Sequence, residues 1–210
     1  MDLISRRGAM GIFQFVAQLF VVNLMTIGVS WGGFFDYPRD AGFVVIEYTQ
    51  TLDMILDADP EPQLRIYGDG RVLVHYPAYM KRAGDYEMQL TDAELQQLLN
   101  SLEQKGLLKF DRSKVLQLKG QSAARIAASS GSNVVTTRSD DSRTRININL
   151  DAYSTVFSRA PQTNIRQVVK WKNRRGDAQT YPDVAELQNA AAAEQGLRDL
   201  LTHRNLVKIK

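Results

Sequence analysis

The sequence predicts an α+β domain: an antiparallel sheet of several hairpins with two main helices packed on one face, preceded by an N-terminal apolar helix. Three observations carry that expectation. Apolar and polar residues alternate with period two in several short runs, the mark of half-buried strands. Two longer segments carry helix-start signals followed by leucines at helical spacing. The order is strands, helix, strands, helix, without the regular alternation that builds a parallel sheet.

The apolar helix comes first. Arg6 and Arg7 precede Gly11 to Val29, 19 residues without a charged side chain. A basic start before an apolar run is the pattern of a secretory signal, and Gly28 and Ser30 are small residues placed for cleavage before Trp31. At ~1.5 Å rise per residue the same run is long enough for a retained membrane anchor. Both readings stand, and both send the remaining chain out of the cytoplasm while Arg6 and Arg7 stay inside. Ser5-Arg6-Arg7 resembles a twin-arginine export motif, although Gly8 and Ala9 stand where apolar residues should follow. The expected organisation is 1–30 as signal or anchor, 31–42 as a Gly- and aromatic-rich linker, and 43–210 as one extracytoplasmic α+β domain.

Within that domain, Val44, Ile46 and Tyr48 alternate with more polar neighbours as a strand. Leu64 to Tyr76 holds two alternating runs around Gly68-Asp69-Gly70 and reads as a tight hairpin. Tyr86 to Leu90 is a further strand. Thr91 and Glu94 have capping-box spacing, and Leu95, Leu98, Leu99 and Leu102 follow on one helical face. Gly106 sits where a left-handed residue ends a helix, with Leu107 placed to touch Leu102. Lys114 to Ser132, basic and then rich in Ala, Ser and Gly, reads partly as loop. Asn133 to Thr137 and Arg143 to Leu150 suggest another hairpin, and Ile165 to Trp171 one more strand. Asp183 and Glu186 mark a second helix with Leu187, Ala190, Leu197, Leu200 and Leu201 on its apolar face; Leu206, Val207 and Ile209 form a last short strand.

Composition limits the chemistry. With 210 residues, 44% apolar and 23% charged, the chain has the makings of a packed domain and not of a disordered one. The absence of cysteine excludes disulfides, thiolate metal sites and a cysteine nucleophile. The net charge of +3 hides an asymmetry. Residues 43–111 carry twelve acidic and six basic side chains, and residues 112–175 carry three acidic and thirteen basic. The two halves neutralise each other in part, or the basic segment meets an anionic partner.

A resemblance appears in the motifs Tyr67-Gly68-Asp69-Gly70, Thr91-Asp92-Ala93-Glu94-Leu95, Gly106-Leu107 and Phe110-Asp111. Together with the Arg145 to Leu150 strand and the C-terminal leucine helix, they resemble a family of uncharacterised bacterial envelope and lipoprotein domains over roughly residues 43–205. The resemblance implies an α+β fold and an envelope location. The family often carries a cysteine pair before the hairpin; here Asp53 to Pro62 stands in its place, so any redox or metal role of such a pair is missing.

The candidate binding residues are Arg138, Arg143 and Arg145 on one predicted hairpin, and Lys170, Trp171, Lys172, Arg174 and Arg175 in the densest basic cluster. An indole among cations suits lipid headgroups, anionic glycans or single-stranded nucleic acid, and export disfavours the last. The competing reading buries Trp171 in the core and leaves the cations as a solvated rim. His75 and His203 read as structural, and the acidic run Asp53, Asp57, Asp59 and Glu61 as a solvated loop. No metal site and no cofactor are expected. The sequence favours a non-enzymatic envelope binding or assembly domain, with partners in the membrane, an envelope protein or an anionic lipid or glycan. Its alternatives are a cell-envelope hydrolase with an unlocated carboxylate pair and a nucleic-acid-binding protein using residues 138–175. Carboxylates converging in a deep pocket favour the enzyme; basic residues forming one stripe favour binding.

Overall fold

The structure is a computed structural model and describes residues 33–52, 59–130, 142–155, 158 and 160–209. The expected N-terminal helix, the strand at 133–137, Arg138, Asp53 and Asp57 lie outside these. The described residues belong to one compact unit.

The fold is α+β: among the described residues, an open antiparallel sheet of eight strands with four α-helices. The strands are β1 (Phe34–Asp36), β2 (Val44–Leu52), β3 (Leu64–Tyr67), β4 (Arg71–Tyr76), β5 (Gly84–Gln89), β6 (Ser142–Ser154), β7 (Gln162–Lys172) and β8 (Val207–Lys208). The helices are α1 (Asp92–Gln104), α2 (Arg112–Ser130), α3 (Arg174–Thr180) and α4 (Ala185–Leu201). Strands β2 to β5 follow one another across the sheet to β8, while β6 pairs with β2 and, on its other side, with β7. β1 and β2 lie end to end along the same side of β6: Phe35 is opposite Tyr153, and Tyr48 is opposite Ile146.

Alternation decides what each strand buries. Tyr48, Leu64, Ile66, Val72, Val74, Ile146 and Ile148 are all fully buried on one face. α1 and α4 cover that face with Leu95, Leu99, Leu102, Ala190, Ala193 and Leu197. A register shift between Val44 and Ile46 marks a bulge, which lets the consecutive Val45 and Ile46 both be buried. A second, smaller core joins Val115 of α2, Trp171 of β7, Ala178 of α3 and Tyr181, Val184 and Leu187 around the start of α4.

The predicted helix at residue 91 is realised with all its local signals. Thr91 and Glu94 form the reciprocal capping box, and Gly106 takes φ 74° just past the end. In the hairpin, Gly70 takes φ 86°, while Gly68 is required by contact: a Cβ there would lie 1.8 Å from the Pro38 carbonyl oxygen.

Four expectations need correction. The segment 31–42 is not merely a linker: β1 adds to β6, and Phe35 and Tyr37 are 0% and 2% exposed. The described part of the Lys114 to Ser132 segment is helix and not loop, because α2 runs to Ser130 with Val115 and Ser122 buried. Besides the two expected main helices, present as α1 and α4, the described residues form α2 and α3. Asp183 does not cap α4; its carboxylate accepts from Ser122 Oγ and Arg125 Nη2, and Val184 occupies the cap position without a side-chain bond.

Candidate functional site

The face opposite the helices carries, on β6, Arg143, Arg145, Asn147 and Asn149, and on β7 Lys172, Lys170, the apolar Val168 and Arg166. The register places Arg143 directly opposite Lys172 and Arg145 directly opposite Lys170. Thr51 and Thr49 of β2 complete the two rows. Asn173 N–H donates to the Ser142 carbonyl at 2.8 Å across the same ladder. Odd-numbered β7 residues therefore bond to β6, and both cation pairs occupy the closely spaced, non-hydrogen-bonded positions.

Like charges directly opposite one another on a sheet are destabilising. At about 6 Å in water the repulsion is ~0.7 kcal/mol per pair before screening. Arg145 Nε donates to Asn147 Oδ1 at 3.0 Å, but neither Arg145 nor Lys170 lies within ion-pairing distance of a described carboxylate. These cations line a groove of ≈ 580 Å³, with Arg112 from the first turn of α2 as a fifth.

Elsewhere on the same face cations meet carboxylates. Arg65 reaches Glu61 at 2.8 Å and Glu47 at 3.8 Å, and Arg71 reaches Glu87 at 3.8 Å. His75 sits between two carboxylates, Nδ1 2.6 Å from Asp85 and Nε2 2.9 Å from Asp59. Burial lowers the His75 pKa, but the bonds to Asp85 and Asp59 outweigh it and raise the imidazole above its ordinary value. Asp59 is held below the usual carboxylate range by the Glu61 backbone N–H and by His75.

The predicted cluster therefore divides. Arg143, Arg145, Lys170 and Lys172 come together on the open face. Trp171 reaches the groove wall with only 5% of its surface exposed, and Arg174, 1% exposed, does not line it. The Trp171 indole packs edge-on against Phe110, and its Nε1–H donates to Asp177 at 2.8 Å, so it offers no stacking surface. Lys119 Nζ meets both oxygens of Asp177 at 2.7 Å. Arg174 extends beneath the sheet to Glu194, Nε to Oε2 3.0 Å. Burial lowers the Arg174 pKa, opposed by Glu194. Glu194 also accepts from Tyr48 and Thr144 hydroxyls at 3.0 and 3.1 Å, and burial with that carboxylate raises the Tyr48 pKa. Arg175 is exposed but turns toward α4, donating to Gln195 at 3.3 Å. Arg112 carried no signal in the sequence, because it joins the groove only through the placement of α2.

Asp59 and Asp85 meet at His75 as a surface clamp, and no group of three or more acidic or histidine side chains among the described residues is arranged to hold a metal ion. No helix among them is long and apolar enough to cross a membrane. Comparison with family models, with curated proteins and with solved structures gives no match.

Proposed function

We propose that this chain is a non-enzymatic, extracytoplasmic binding or assembly module that recognises an anionic partner through the β2–β6–β7 face. One observation carries the reading: Arg145 and Lys170, with no described carboxylate in ion-pairing reach, stand directly opposite each other, and a second cation pair, Arg143 with Lys172, follows in the same register. Selection for stability alone works against such pairs, whereas a polyanion lying across them gains from all four charges at once. The apolar run after Arg6 and Arg7, and the likeness of the hairpin and capped helix to envelope domains, support the location.

The test uses the full chain held in phosphatidylcholine nanodiscs. Dextran sulfate and phosphatidylglycerol vesicles are compared with uncharged dextran and phosphatidylcholine vesicles. The anionic probes should bind and the neutral ones should not. Affinity should fall as the Debye length shrinks from ~10 Å at 0.1 M salt to ~3 Å at 1 M. Replacing Arg143, Arg145, Lys170 and Lys172 together by Ser should lower binding at least tenfold while the domain still melts cooperatively. Equal binding of anionic and neutral probes, or full binding by the variant, would overturn the reading.

A further inference from the structure

Among the described residues β7 is the outermost strand on its side of the sheet, pairing with β6 from Gln162 to Lys172. The Asn173 to Ser142 bond fixes its phase. The backbone N–H and C=O groups of Arg166, Val168, Lys170 and Lys172 therefore point away from β6. Among the described residues, none outside β6 makes a backbone hydrogen bond to Arg166, Val168 or Lys170. The side chains of these residues emerge on the cationic face, where Val168 is 45% exposed. An open strand edge is a template for another strand, and its side chains decide which.

A second copy is a poor occupant, because pairing two β7 edges sets lysines and arginines of one against those of the other. Lipid and glycan supply the charge but not the main-chain donors and acceptors that repeat along this edge at ~6.8 Å, two residues of strand. We propose that the β7 edge takes up an acidic polypeptide segment as an additional antiparallel strand, with a carboxylate opposite Lys170. This rests on the cationic-face reading above and names its partner class. Residues directly opposite the outward-bonding positions of β7 both face the cations and bond to β7 through their own backbone. The partner's acidic residues are thus the ones whose N–H groups are used.

The probe is a capped ten-residue peptide alternating Glu with Thr, applied to the full chain in phosphatidylcholine nanodiscs. It should bind in a salt-dependent way, and the same peptide with Lys for Glu should not. N-methylation on every Glu should weaken binding at least tenfold; N-methylation on every Thr should leave it unchanged, because those N–H groups face the other way. Val168→Pro removes one outward N–H without touching the ladder to β6 or any charge, at a position where an edge strand accommodates proline. It should lower peptide affinity at least tenfold and leave dextran sulfate binding as it was. If Val168→Pro melts early, the two methylated peptides on the unaltered chain decide. Equal binding of both methylated peptides, or binding of dextran sulfate or phosphatidylglycerol without binding of the peptide, refutes strand addition while the cationic face stands. Failure of every anionic probe refutes both.

Discussion

Phe34 and Phe35 are neighbours on a three-residue strand, and their truncation should have opposite consequences. Phe35 is fully buried and stacks on Tyr153, ring centroids 6.0 Å apart and 12° from parallel. Phe34 is 62% exposed. Cutting a fully buried Phe to Ala costs ~3–5 kcal/mol, of which an aromatic pair contributes ~0.5–1.5 kcal/mol. An exposed substitution stays within ~0.5 kcal/mol. With a urea dependence of roughly 2 kcal/mol per molar, Phe35→Ala should lower the unfolding midpoint by about 1.5–2.5 M and Phe34→Ala by less than about 0.25 M. The buried Trp171 serves as the fluorescent reporter in equilibrium urea melts, with the slope expected to be unchanged. A loss below ~1 kcal/mol for Phe35→Ala, or equal losses for both variants, would show that β1 does not pack onto β6 as described.

Leu102→Ala on α1, 1% exposed, should cost ~2–5 kcal/mol in the same melts. Asp177→Ala strips the acceptor from both the Trp171 indole N–H and Lys119, and should cost ~1–3 kcal/mol with a shift in tryptophan emission. The Asp59–His75–Asp85 clamp makes a signed prediction. The raised His75 pKa contributes stability that is complete below 6.5, the ordinary imidazole value, and is lost as pH rises through the folded-state value. The depressed Asp59 pKa contributes stability that is present above 3.8, the ordinary carboxyl value, and is lost as pH falls through its folded-state value. Urea midpoints of wild type and His75→Gln should therefore converge between about pH 5 and about pH 8 as pH rises, and a gap that widens would contradict the sign.

What was legible in the sequence was what several local signals said together. α1 carried a capping box, a leucine face and a terminal glycine, and β6 showed clean alternation over Ile146, Ile148 and Leu150. What was not legible depends on distant partners. A three-residue strand is too short to show a period, so β1 declares itself only by pairing with β6. The inner face of α2 includes Ser122, whose hydroxyl donates to Asp183 from the other side of a loop, so neither the helix nor the false cap at Asp183 could be read locally. The four cations of the site were named in the sequence, but their pairing needs the β6–β7 register. Arg174 sits beside them in the chain and is drawn under the sheet by Glu194, twenty residues on.

The end-to-end seating of β1 and β2 on β6 has a consequence for how the protein is made. β2 ends at Leu52, and the strand that covers its open side begins at Ser142. At ~5–20 residues per second, a ribosome takes roughly 5–20 s to produce that separation. During this interval β2 to β5 and α1 have their sequence in hand, while one side of Val45, Ile46 and Tyr48 waits for a partner. A nascent chain in this condition is a substrate for any strand that arrives first. Folding held back until β6 has emerged, by a chaperone or by passage through a translocation channel, should raise the yield of native protein over refolding at high concentration.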